Sequence, residues 1–136
     1  MTATTSTMPL AGIRVLLVED EMLVAMMLEE VLQELGCEIV GPVSRIDAAR
    51  AAIADDGFDC ALLDINLRGQ PVYPVAELLT EHAVPFGFIT GYGAAGVPAK
   101  FGTHPVLQKP FDSRDIAAML TRLTRTRRNA APRSRR

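Results

Sequence analysis

Five positions carry the residue types that chemistry at a charged site needs. Glu19-Asp20 follows one apolar run, Asp64 closes a second, Thr90 ends a third and Lys109 follows a fourth. A single aspartate at such a place ordinarily caps the following turn. Three carboxylates gathered together are different, because two of them about 5 Å apart repel by roughly 3 kcal/mol at an effective dielectric of 20. A hard divalent cation between them removes that repulsion. Mg²⁺ suits the position, since it is held by one or two carboxylates with waters and phosphate oxygens. Whether this chemistry exists depends on the fold bringing the five side chains to one edge.

The runs that end on these residues read as buried strands. Ile13–Val18 and Phe58–Asp64 are short, apolar and without internal breaks, as strands covered on both faces are. Glu38–Val43 carries Gly41-Pro42, which suits a sheet edge, and Pro85–Thr90 and Pro105–Gln108 complete a set of five. Between the strands lie helical patterns. From Met22 to Leu35 the residues Leu23, Met26, Met27, Val31 and Leu35 recur at helical spacing, which places Met22, Met26 and Met27 in the core, and Gly36 stops the helix. Ser44 and Asp47 have capping-box spacing before Ile46, Ala49 and Ile53. Pro74 suits the first turn of a helix reaching about His82. Gly91, Gly93, Gly96 and Gly102 leave room only for a short helix near Ala94–Phe101, since each interior glycine costs about 1 kcal/mol against alanine. Asp112 caps a last helix whose apolar face is Ile116, Met119, Leu120 and Leu123. This alternation predicts an α/β fold, a doubly wound parallel sheet with helices on both faces. Its strands share one carboxyl edge, where such sheets place their chemistry.

Composition bounds the rest. A chain of 136 residues with 49% hydrophobic side chains is one domain with a full core. No apolar run approaches the ~20 residues of a membrane span, and the first residues lack a secretory signal. The expected organisation is a tail over 1–11, a folded domain over 12–124 and an Arg-rich tail over 125–136. Residues 1–124 hold all 16 acids against 8 bases, a net −8, which argues against nucleic acid binding by the fold itself; the last twelve residues hold six arginines that could meet phosphates or an acidic partner. Cys37 and Cys60 have no metal or redox spacing and read as buried thiols in a reducing cytoplasm. His82 and His104 lack ligand spacing and stay outside the site.

In their order along the chain, Glu19-Asp20, Asp64, Thr90 and Lys109-Pro110-Phe111 resemble the acid pair, phosphoacceptor, hydroxyl and Lys-Pro motif of the response-regulator receiver domains of two-component signalling. Phe88-Ile89-Thr90-Gly91-Tyr92 further resembles the Phe-Ala-Thr-Gly-Tyr signature of an atypical, often stand-alone subgroup. The resemblance implies a flavodoxin-like sheet of strand order 2-1-3-4-5. It also implies that Asp64 accepts a phosphoryl group from a sensor histidine kinase or histidine phosphotransfer protein. Asp20, Asp64 and the backbone carbonyl of Asn66 would hold Mg²⁺, with Glu19 acting through water. Lys109 would pair with the phosphate, Thr90 would donate a hydroxyl hydrogen bond, and Lys109–Pro110 would be cis. Such a protein is a cytoplasmic single-domain response regulator rather than an enzyme. Its output is protein contact, or phosphoryl flow as a sink or relay. The expected contact face is 91–104, the fifth strand and the last helix, with a homodimer through that face left open and the downstream partner unnamed.

One departure stands out. Receivers typically carry Tyr or Phe three residues before the Lys, and Val106 occupies that place. A different switch is then expected, in which phosphorylation orders 91–104 and Tyr92 takes part. Two alternatives compete with the signalling reading. An aspartyl-nucleophile phosphatase would need an acid where Asn66 stands. A phosphate-independent adaptor would need no intact pocket.

Overall fold

The computed structural model describes residues 10–55, 57–91 and 97–129. These form β1 (Arg14–Val18), α1 (Met22–Glu34), β2 (Glu38–Val43), α2 (Ile46–Asp55) and β3 (Cys60–Asp64). A small hairpin of β4 (Asn66–Leu67) and β5 (Gln70–Pro71) follows, then α3 (Tyr73–Glu81), β6 (Phe86–Thr90), a 3-10 turn (Ala99–Phe101), β7 (Val106–Gln108) and α4 (Ser113–Asn129). The five principal strands make one parallel sheet, β2-β1-β3-β6-β7. That is the expected 2-1-3-4-5 order once the hairpin is left out of the count.

Side chains alternate across each strand, so the sheet builds two cores. Leu16, Val18, Ala61, Leu63, Phe86 and Phe88 pack with Ala49 and Ile53 of α2 and Val75, Ala76 and Leu79 of α3. Tyr73 stacks on Phe101 at 5.6 Å and His104 on Phe86 at 4.0 Å, which ties the 3-10 turn to this first core. Val15, Leu17, Cys60, Leu62 and Ile89 pack on the other face with Leu28 and Leu32 of α1 and Ile116, Met119, Leu120 and Leu123 of α4. Gly87 makes room there: a Cβ would stand 2.6 Å from the Met119 Sδ. Cys37 and Cys60 are both buried free thiols. The cap of α4 is reciprocal, as the Asp115 N–H donates to Asp112 Oδ1 and the Asp112 N–H to Asp115 Oδ2, each at 3.0 Å. Among the described residues no helix is long and apolar enough to cross a membrane.

Several expectations are corrected. The expected stripe of α1 holds only in its second half: Val31 and Leu35 pack against the second core, but in the first turns Ala25 and Leu28 face inward with Leu32 further on, while Met22, Leu23, Met26 and Met27 are 75, 80, 55 and 45% exposed. Apolar residues surround the first turns of this helix, so spacing alone does not choose which stripe meets the sheet. Leu10 is buried in the second core and its carbonyl accepts the Cys37 Sγ, so ordered chain begins inside the expected 1–11 tail. At the other end α4 runs to Asn129, past the expected boundary at 124. The helix expected near Ala94–Phe101 is a 3-10 turn at Ala99–Phe101, with 92–96 outside the described residues. Ser44 does not close a capping box. Helix α2 starts at Ile46, the Arg45 carbonyl takes the Ala49 N–H, and Asp47 accepts from Ala48. The loop after β3 is a hairpin whose two central residues, Arg68 and Gly69, both have positive φ (51° and 83°), the pattern of a type I′ turn.

Candidate functional site

The carboxyl edge of the sheet gathers the expected side chains because the strands are in register there. β1 lies between β2 and β3, and Glu19 and Asp20 leave its end. Asp64 is the last residue of β3, paired with Ile89 of β6. Thr90 is the last residue of β6, and its carbonyl accepts the Lys109 N–H at 2.8 Å just beyond β7. Glu19, Asp64 and Thr90 are buried, at 2, 6 and 4% exposure. One oxygen from each of Glu19, Asp20 and Asp64 lies within 4.8 Å of the others. The Lys109 ammonium stands 3.8 Å from both Glu19 and Asp64. Around them opens a cleft of about 510 Å³ lined by Asp20, Asp64, Asn66, Thr90, Gly91 and Lys109, among others. The Lys109–Pro110 bond is cis, as expected, and a second cis bond joins Gly41 to Pro42.

The electrostatics are those of a site short of positive charge. Burial, together with the Asp64 charge beside it, pushes the Glu19 carboxyl up to about 8. Burial also raises Asp64. Burial pulls Lys109 down, but the hydrogen bond it donates to Glu21 and the charges of Asp64 and Glu19 outweigh it and hold the ammonium above its usual value. Glu19 Oε2 accepts the Glu21 N–H at 3.1 Å, whereas Glu19 Oε1 is buried without a hydrogen-bond partner. An orphaned carboxylate oxygen beside two further carboxylates fits a hard cation, and among the described residues these three side chains could take part in holding it.

Two contributors escape sequence reasoning. Glu21, which precedes α1, accepts a 2.9 Å hydrogen bond from the Lys109 ammonium. The Arg68 N–H, presented by the hairpin turn, donates to Asp20 Oδ2 at 2.9 Å. A Glu-Asp-Glu run hints at the first; nothing in the residue types marks the second, which is a backbone contact. Asn66 lines the cleft from β4. Val106 is half-buried against the first core and paired with Phe88, so the position expected of a switch aromatic is filled by an aliphatic packing residue. Tyr92 lies outside the described residues. His82 and His104 are not in the cleft lining.

Comparisons with known proteins agree with this fold. The family model of the response regulator receiver domain matches residues 15–121. The chain is 31% identical over 116 residues to the phyllosphere-induced regulator PhyR of Methylorubrum extorquens, covering 79% of this chain and 42% of PhyR. It therefore spans less than half the length of that curated relative. The solution structure of SdrG from Sphingomonas melonis Fr1 matches with a TM-score of 0.75 at 44% identity, covering 82% of this chain and 96% of SdrG. The receiver domain of the sensor histidine kinase PA1611 from Pseudomonas aeruginosa PAO1, solved with magnesium coordinated in its active-site cleft, shares the fold with a TM-score of 0.74 at 23% identity, covering 84% of this chain and 98% of that one.

Proposed function

Because the chain belongs to the response regulator receiver domain family, we propose that it is a response regulator that accepts a phosphoryl group on Asp64. The donor is a phosphohistidine of a sensor histidine kinase or histidine phosphotransfer protein, and acceptance depends on Mg²⁺. The observation that carries this reading is the convergence of Glu19, Asp20 and Asp64 within 4.8 Å, with an orphaned Glu19 oxygen and the Lys109 ammonium alongside. The Mg²⁺ coordinated in the PA1611 receiver supports the choice of cation. Asp20, Asp64 and the Asn66 backbone would hold the ion, with Glu19 behind them. When bound, such a cation neutralises charge on the phosphoryl oxygens.

The chain's own residues supply the remainder. An Asp64 carboxylate oxygen forms the new O–P bond as the donor's N–P bond breaks, and the departing imidazole keeps the electron pair. Lys109 offsets the charge left on the phosphoryl oxygens as a point cation, and Thr90 donates its hydroxyl to one of them. Asn66 has no proton to give or take as a general acid or base, so this reading includes no phosphatase activity toward other substrates. The chain catalyses only its own phosphorylation and dephosphorylation, in the cytoplasm, and its output is contact with another protein or phosphoryl relay. Beside the cleft the exposed Met22, Leu23, Met26 and Met27 offer an adaptable apolar surface, which favours a protein as the donor that docks there. The test is incubation with Mg²⁺ and acetyl phosphate followed by intact-mass measurement. Wild type gains one phosphoryl group and Asp64→Asn gains none; equal gain in both, or none in wild type, overturns the reading.

A further inference from the structure

Among the described residues the Lys109 ammonium reaches hydrogen-bond distance of a single carboxylate, and that carboxylate is not one of the three that form the cluster. Glu21 Oε1 lies at 2.9 Å, against 3.8 Å for Glu19 and for Asp64. The Glu21 backbone is fixed, because its N–H is held by Glu19. Its side chain is 61% exposed while that of Lys109 is 21% exposed, so the pair bridges solvent and cleft interior. A pair with one partner this exposed is weak and exchanges readily. A phosphoryl dianion on Asp64 would offer the same ammonium a doubly charged partner deeper in the cleft, where screening is weaker.

We propose that Glu21 is a positioning residue: it holds the Lys109 ammonium at the mouth of the cleft while Asp64 is bare, and gives it up when Asp64 carries a phosphoryl group. This rests on the phosphoacceptor reading above. Two consequences follow. Before transfer, Glu21 keeps Lys109 from closing onto Asp64, so the attacking oxygen stays open. After transfer, Glu21 competes for the ammonium and weakens the phosphoryl state by the strength of that competition.

Beryllofluoride, which mimics a phosphoryl group on aspartate, separates these terms when its affinity is measured by ¹⁹F NMR at saturating Mg²⁺. Glu21→Gln is expected to bind it about two- to fivefold more tightly than wild type. In a Lys109→Gln background the same change should leave affinity unmoved, because the competition runs through the ammonium. Glu30→Gln, an exposed acid nine residues further along α1 and about 13 Å away along the axis, should behave as wild type. Equal or weaker binding by Glu21→Gln overturns the exchange, as does the same gain in the Lys109→Gln background or in Glu30→Gln. Wild type that binds no beryllofluoride overturns the phosphoacceptor reading as well. Binding by wild type without a Lys109-dependent gain overturns the exchange alone.

Discussion

The acid cleft and the surface of α1 meet at Glu21, and they invert the ordinary partition of side chains in opposite ways. In the cleft, charged groups are buried: Glu19 and Asp64 are 2 and 6% exposed. One residue beyond Glu21, large apolar groups begin to lie in solvent, from Met22 to Met27. Either arrangement alone is unfavourable for an isolated chain, since several clustered carboxylates share one ammonium and exposed methionine gains nothing from water. Both become favourable when something from outside arrives. The cleft calls for a cation and an anion, and the helix surface calls for apolar contact with a protein. Under the proposed function the two inversions belong to one event, in which a protein docks and delivers a charged group.

If the two regions divide chemistry from docking in this way, substitutions should separate them. The largest effect falls on the cleft: Asp64→Asn should lose all phosphorylation by acetyl phosphate, read by intact mass, while keeping its fold by circular dichroism. Next in size is Leu62→Ala, behind the cleft on the α1–α4 face, which should cost about 2–5 kcal/mol in urea denaturation and lower stability without a specific effect on the acids. Adding Mg²⁺ to metal-free protein should raise the thermal midpoint, by the equivalent of about 2.7 kcal/mol at a hundredfold excess over Kd, and EDTA should reverse it. Asp64→Asn should respond less. Met26→Lys should leave stability within about 0.5 kcal/mol and acetyl phosphate labelling intact, yet slow transfer from a phosphorylated kinase about tenfold. Equal loss with both donors would show that the helix surface is not a separate docking element.

The smallest effect lies away from both regions. Burial against Phe86 lowers His104 from its ordinary 6.5, so the unfolded chain binds the proton more readily than the fold does. Its stabilisation is present above pH 6.5 and is lost as pH falls from there through the lower folded value. Urea midpoints at pH 7.5 and 5.5 should diverge more in wild type than in His104→Phe. Identical pH slopes would remove His104 from the account.

The same contrast explains what could be read in the residues alone. Strand ends fix their side chains by register, so Asp64, Thr90 and Lys109 could be placed at one edge from the apolar runs that precede them. The cap at Asp112 and the apolar face from Ile116 to Leu123 were legible for a similar reason, as one face of α4 is plainly polar; the return bond to the Asp115 side chain was not. Helix α1 lacks that contrast. Met22 to Leu28 is apolar without interruption, and the choice of inward face falls to how closely Ala25 and Leu28 let the helix approach the sheet. Glu21 and the Arg68 amide were missed because their roles are contacts between segments 88 and 48 residues apart. The hairpin went unseen because its turn holds an arginine at φ 51°, where asparagine or aspartate is the usual signal.

That hairpin limits how the chain can change. Surface connections generally absorb inserted or deleted residues at little cost. In the segment from Asn66 to Pro71 that cost is higher, because the amide of Arg68 arrives at Asp20 at 2.9 Å while Leu67, 1% exposed, is anchored in the core. Adding one residue to the turn would swing that amide off the carboxylate or lift the leucine out. A change of length in this turn therefore reaches the cleft directly, through the one N–H that the hairpin lends to Asp20.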